Sequence, residues 1–125
     1  MGGPNVNATA IDVEPDAVFA QAASALLKEY AVKLKELADS VVTYENTRHL
    51  RLVGNDTAPA IRDELIERFK HLRPPVEELV HQSSAVLNEG NLRGLSRVEL
   101  WLRLAELEHN LNTATRRIEL IKPKK

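Results

Sequence analysis

The sequence predicts an all-α protein, an up-down-up bundle of three long helices. Three apolar stripes alternate steps of three and four residues, which is the period of helices that pack lengthwise against one another. Glycine-containing segments at Gly54 and between Gly90 and Gly94 separate the stripes. Because short connections force neighbouring helices to run antiparallel, the chain is expected to reverse direction twice.

The first helix is predicted to run from about Asp16 toward Gly54. Its stripe consists of Ala20, Ala23, Leu27, Tyr30, Leu34, Leu37, Val41 and Tyr44. Neither glycine nor proline occurs between Pro15 and Gly54, so nothing forces an earlier end. At 1.5 Å per residue this helix is roughly 57 Å long. Gly54 suits a left-handed helix cap, and Asp56 or Thr57 can cap the helix that follows.

The second stripe crosses two consecutive prolines. Its members are Leu65, Phe69, Leu72, Val76, Leu79, Ser83 and Val86. A proline removes a backbone hydrogen bond and disfavours the helical conformation in the residue before it, so Arg73 marks a kink or a break. The stripe keeps its phase across Pro74 and Pro75, which favours one bent element over residues 58–89. If the break is complete, two shorter helices replace this element and the bundle has four helices.

The third helix is predicted to begin near Arg97, because Ser96 and Glu99 have the spacing of a capping box. Its stripe consists of Leu100, Leu104, Leu107, Leu111, Ala114, Ile118 and Ile121. Pro123 is expected to end the helix. The predicted organisation is therefore a flexible N-terminal tail (1–15), one helical domain (16–122) and a short basic tail (123–125).

Composition narrows the classes of function. The chain has 125 residues, no cysteine and a formal net charge of −1. Disulfides and thiolate metal sites are excluded, and there is no long-range field to attract nucleic acid or an anionic membrane. No apolar segment has the length of a membrane span, and no signal peptide is visible, so the expectation is an intracellular protein, with the cytoplasm as the default and no membrane partner.

Two Glu-x-x-His pairs, Glu78 with His81 and Glu106 with His109, have the ligand spacing of di-iron helical bundles. Relative to the apolar stripes, both pairs fall on outward-facing helix positions, whereas such a metal centre needs its ligands inside the bundle. The sequence therefore predicts no metal site and no cofactor.

Motifs of catalysis are also missing from the sequence. It contains no Gly-x-Ser-x-Gly elbow, no phosphate-binding glycine loop and no dinucleotide fingerprint. Carboxylates are interleaved with lysine and arginine along the helices, as expected of solvated faces. We therefore expect no enzymatic activity, no catalytic residues and no small-molecule substrate.

The C-terminal part of the chain offers a nucleic-acid alternative. Residues 95–125 carry 7 basic and 4 acidic side chains, a local charge of +3. The basic cluster consists of Arg116, Arg117, Lys122, Lys124 and Lys125. Cations near a helix C-terminus also interact favourably with the helix dipole, so nucleic-acid binding, or contact with an acidic partner, is the second hypothesis rather than the first.

A second apolar face on the third helix carries the main functional hypothesis. Leu95, Val98, Leu102 and Ala105 step by three, four and three nearly opposite the core stripe, and Trp101 lies at the edge of this face. A helix that is apolar on two sides is either enclosed in a larger assembly or offers one side to a partner. A weaker second face on the first helix consists of Val18, Ala22, Ala25 and Val32.

The sequence thus predicts a non-catalytic protein–protein interaction module, an adaptor, a scaffold or a subunit of a larger assembly. Docking is predicted at Leu95, Val98, Trp101, Leu102 and Ala105, with another protein or a second copy of the chain as the partner. In the alternative interpretation, the kinked second helix or the N-terminal tail folds over this face and makes it part of the core.

Overall fold

The computed structural model describes residues 15–50 and 58–123, which form three α-helices and no strand. Helix α1 spans Pro15–Leu50, α2 spans Ala58–Glu89 and α3 spans Gly94–Ile121. The predicted all-α class and the bundle of three long helices are confirmed. The predicted caps at Gly54, Asp56 and Thr57 lie outside the described residues, as does the N-terminal tail up to residue 14.

The predicted stripes form the core of the bundle. Every stripe residue is buried, except that four are partly buried and pack against the core: Tyr30, Leu72, Val86 and Leu111. The largest side chains with almost no exposed surface are Leu27, Leu34, Leu37, Leu100, Leu107 and Ile118. Complete burial of such a side chain stabilises the folded state by about 1.5–3 kcal/mol, so these stripes supply most of the driving force for folding.

Helix α1 packs more extensively against α3 than against α2, and two buried alanines of α1 lie at this contact. Ala31 and Ala38 are only 1% and 3% exposed, although neither belongs to the predicted stripe. The Asn110 side-chain amide donates a hydrogen bond to the Ala31 carbonyl (2.9 Å), and the Arg117 guanidinium donates one to the Ala38 carbonyl (3.2 Å). Small side chains at these two positions let α3 come close enough to reach the α1 backbone.

Helix α2 continues through the two prolines without a break. The four-helix alternative is therefore wrong. Pro74 and Pro75 cannot donate to the carbonyls of Lys70 and His71, but all four residues are exposed, so water can satisfy those carbonyls. On the opposite side Val76 is completely buried, and packing of that side outweighs the two lost hydrogen bonds.

Helix α3 begins three residues earlier than predicted, at Gly94 rather than near Arg97. The N-cap residue is Arg93, whose side chain makes no capping hydrogen bond, and Ser96 already lies in the first turn. The backbone of Gly94 has a φ of +69°, a left-handed conformation that turns the chain directly into the helix and that glycine adopts without strain. The Ser96–Glu99 capping box is therefore not used.

The end of α2 is fastened to the start of α1. The backbone N–H of Asn91 donates a hydrogen bond to Asp16 Oδ2 (3.0 Å), and Gly90 N–H donates to the Val86 carbonyl (3.0 Å). A Cβ at Gly90 would overlap the Asp16 carboxylate and lie 2.7 Å from the Val86 carbonyl oxygen. A side chain at Gly90 would therefore displace the Asp16 carboxylate and force the backbone at the end of α2 to shift.

A serine in the core of α2 gives a first prediction on stability. Ser83 has no exposed surface, and its Oγ has no hydrogen-bond partner in the described part of the protein. A buried hydroxyl without a partner costs roughly 1–3 kcal/mol, so Ser83→Ala is expected to raise the free energy of unfolding by about 1 kcal/mol. Chemical denaturation measures this change. Ser84→Ala is the control, because it is the same substitution in the same helix, with the same effect on helix propensity, at a half-buried position. An equal gain in both variants, or a loss at Ser83, would contradict the assigned cause.

Candidate protein-interaction face on the third helix

The side of α3 that points away from the bundle exposes all five residues predicted to bind a partner. We call Leu95, Val98, Trp101, Leu102 and Ala105 the α3 outer face. The exposed fractions of its four large side chains are 87% for Leu95, 52% for Val98, 58% for Trp101 and 54% for Leu102, and Ala105 is also exposed. Scattered apolar residues are normal on protein surfaces, but a group on one side of one helix is typical of an interaction site.

Helical geometry explains why these residues lie together. Steps of three and four place them on one side of α3, whereas Leu100, Leu104 and Leu107 occupy the opposite side and are 6% exposed or less. The core stripe fixes the rotation of the helix about its axis. The outer face is therefore held toward solvent by a rigid element rather than by a loop.

Charged side chains border one edge of the α3 outer face. A shallow depression of about 410 Å³ is lined by Leu95, Val98 and Leu102, together with Glu99, Arg103 and Glu106. The Arg103 guanidinium lies 3.8 Å from a Glu106 carboxylate oxygen, and this partly exposed ion pair adds little to stability. An apolar centre with a charged rim is the usual composition of a protein–protein interface.

Helix α2 does not cover the α3 outer face, since the large side chains of that face are half or more exposed. The N-terminal tail, which was the other candidate cover, lies outside the described residues. The second apolar face predicted on α1 is exposed as well: Val18, Ala22, Ala25 and Val32 all point to solvent. The structure thus places two apolar faces on the surface of the described bundle.

The predicted basic cluster is partly engaged in the fold. Arg117 donates to the Ala38 carbonyl and lies 3.8 Å from a carboxylate oxygen of Asp39, and Lys122 Nζ lies 2.9 Å from a Glu119 carboxylate oxygen. Arg116 is exposed. Lys124 and Lys125 lie outside the described residues. Two of the three described cations therefore have carboxylate neighbours that reduce their attraction for phosphate.

The Glu-x-x-His pairs lie on the surface. Glu78, His81, Glu106 and His109 are all exposed, and Glu78 accepts a hydrogen bond from the Gln82 amide (3.1 Å). The described residues contain no group of three or more histidine, cysteine, aspartate or glutamate side chains placed to hold a metal ion. None of the described helices combines enough length with enough hydrophobicity to cross a membrane.

A groove between α1 and α2 was missed by the sequence analysis. The groove consists of two adjoining hollows, and Glu64 and Arg68 line both of them. Tyr44 and Leu65 line the first hollow. Tyr30 and Leu72 line the second. The Lys33 ammonium lies over the Tyr30 ring, 5.7 Å from its centre. The sequence feature that could have predicted this groove is the pair of tyrosines in the apolar stripe of α1, because large rings hold neighbouring helices apart. The charges of the groove are mixed, so its chemistry does not indicate one class of ligand.

Comparison of the chain with protein-family models, with curated proteins and with solved structures found no match.

Proposed function

We propose that this protein is a non-catalytic protein–protein interaction module, an adaptor, a scaffold or a subunit of an assembly, that docks a protein on the α3 outer face. The observation that supports the proposal is the exposure of five apolar residues on one side of α3 while the opposite side of the same helix is packed in the core. Docking of a helix or of a complementary apolar surface onto this face is the mode of recognition that fits it.

Trp101 is the proposed anchor of the interface. Tryptophan is enriched among the residues that dominate binding energy, and more than half of the Trp101 side chain is available for burial. Burial of the remaining exposed surface of Leu95 and Leu102 adds roughly 1–2 kcal/mol each. The charged rim of Glu99, Arg103 and Glu106 is expected to affect orientation and specificity more than affinity.

The proposal includes the arrangement of the helices. We infer an up-down-up bundle with α2 bent at Pro74 and Pro75, so that α1 and α3 run parallel. The two hydrogen bonds between α3 and α1 support this, because both join residues 79 positions apart and so advance together along the two helices. The Asn91–Asp16 hydrogen bond, which joins the end of α2 to the start of α1, supports antiparallel α1 and α2.

Site-specific photo-crosslinking tests the proposed function. A photoreactive amino acid replaces Leu102 in the full chain, and crosslinking is carried out in cells that express this chain. We expect defined protein adducts, which mass spectrometry identifies either as another protein or as a second copy of this chain. Trp101→Ala in the same chain is expected to reduce these adducts because it removes the anchor.

The matched control places the photoreactive residue at Lys70, which is exposed on α2 and lies outside the α3 outer face. Equal adducts from the two positions, or none from Leu102, would overturn the proposal. A third probe at Arg116 tests the nucleic-acid alternative. Adducts to nucleic acid from that position, in an association that weakens steeply with salt, would favour the basic cluster as the functional site.

A further inference from the structure

We propose that the α3 outer face binds a second copy of this chain, in an antiparallel pair of α3 helices whose two-fold axis crosses that face at the level of Leu100, a residue that is itself buried on the opposite side of the helix. This inference rests on the proposed function and specifies the partner. Three properties of the described residues support it: the amount of exposed apolar surface, the symmetry of its spacing, and the charges on its rim.

The exposed area matches a weak, specific dimer. With side-chain areas of about 150–250 Å² for large residues, the exposed fractions of the α3 outer face correspond to roughly 500 Å² per chain. Two copies would therefore bury roughly 1,000 Å², which is near the lower limit for a specific interface. We expect a reversible dimer with a micromolar rather than a nanomolar dissociation constant, since the area is small.

The spacing of Leu95, Val98, Leu102 and Ala105 is symmetric about the level of residue 100, and Trp101 lies at the edge of the face beside this centre. In an antiparallel pair centred there, Leu95 faces the partner's Ala105 and Val98 faces the partner's Leu102. A two-fold axis makes each contact occur twice, so each chain contributes the same surface, the α3 outer face, to the interface. In this pairing each leucine of the face opposes a smaller residue, Leu95 opposite Ala105 and Leu102 opposite Val98. Such alternation favours interdigitation of two packed helices.

Charges on the rim are complementary under the same symmetry. Glu99 and Arg103 both border the apolar depression, and they carry opposite charges. Antiparallel pairing about Leu100 brings Glu99 within one helical turn of the partner's Arg103, and the two-fold axis creates this pair twice. Arg103 also lies 3.8 Å from Glu106 of its own chain, which leaves each rim with alternating charges along its length.

A charge-swap series measured by sedimentation equilibrium tests the pairing. The wild type is expected to be a concentration-dependent dimer. Glu99→Arg and Arg103→Glu each replace two attractive pairs by two repulsive ones and are expected to weaken self-association about tenfold. A mixture of these two variants restores both attractive pairs in a heterodimer, so it is expected to associate more tightly than either variant alone.

Two further variants locate the interface. Leu102→Glu places a charge at the centre of each apolar face and is expected to weaken the dimer at least a hundredfold while circular dichroism shows unchanged helicity. Lys70→Glu, an exposed charge change on α2, is the control that should leave the dimer intact. A dimer that survives Leu102→Glu, or charge swaps that fail to rescue each other, would overturn the proposed pairing.

The failure of this inference is distinguishable from the failure of the proposed function. A wild type that stays monomeric at all concentrations overturns self-association. If crosslinks from Leu102 in cells then lead to a different protein, the interaction module stands with another partner. If both Leu102→Glu and the milder Leu102→Ser abolish folding, the α3 outer face is part of the core and both proposals are wrong.

Discussion

Leu100→Ala is expected to lower the free energy of unfolding by about 2–5 kcal/mol, the range for removal of a fully buried leucine. Leu100 has no exposed surface and belongs to the core cluster in which α3 meets the other helices. Truncation to alanine removes the transfer free energy of three carbon atoms and leaves a cavity that a bundle of long helices can close only in part. Urea denaturation followed by circular dichroism measures the loss.

Leu102→Ala is the matched control for this prediction, since the same atoms are removed two residues away on the same helix. Leu102 is half exposed, so the expected loss is less than about 1 kcal/mol. The measurement is made at low protein concentration, where self-association does not contribute to stability. Similar losses of stability in the two variants would mean that α3 is rotated about its axis relative to the structure, so that Leu102 is buried rather than exposed.

Ala31→Leu is expected to destabilise the fold by about 1–3 kcal/mol, because overpacking a close helix contact forces the backbones apart. Ala31 is buried where α3 approaches α1, and its carbonyl accepts the hydrogen bond from the Asn110 amide. Added bulk would lengthen this hydrogen bond as well as strain the packing. Thermal unfolding gives the change in stability, and the side-chain amide signals of Asn110 in an NMR spectrum report the lost bond.

Ala25→Leu provides the control for Ala31→Leu. Ala25 lies on the same helix but is exposed, so the larger side chain meets solvent and the change in stability is expected to be within about 0.5 kcal/mol. The two substitutions have equal effects on helix propensity. A neutral Ala31→Leu would show that α1 and α3 are not in close contact at this point.

Much of the core could be predicted from the sequence because large apolar side chains are strongly favoured to be buried. Leu34 in α1, Val76 in α2 and Leu107 in α3 have too much apolar surface to leave in water, and their steps of three and four residues define one side of each helix. The same reasoning identified the second apolar side of α3. It left the partner as another protein or a second copy of the chain, because the burial pattern of one helix does not distinguish between them.

The start of α3 shows where a local sequence rule failed, whereas α2 follows the continuous apolar stripe rather than the proline signal, as the sequence favoured. Ser96 and Glu99 have the residue types of a capping box, but Gly94 enters the helix earlier through a left-handed conformation that a sequence pattern does not reveal. Two prolines are a strong local signal for a break. Packing on the buried side of Val76 carries α2 through them, since the lost hydrogen bonds lie on the solvent side.

The sequence by itself determined the helical class, the number of long stripes and the large residues of the core, because these follow from the period and size of apolar side chains within each helix. Only the tertiary structure showed that two alanines outside the predicted stripe are buried. Ala31 and Ala38 lie against α3, whereas Ala22 and Ala25 face solvent. A methyl group gains little from burial, so alanine fits either environment, and the position of the neighbouring helix decides between them.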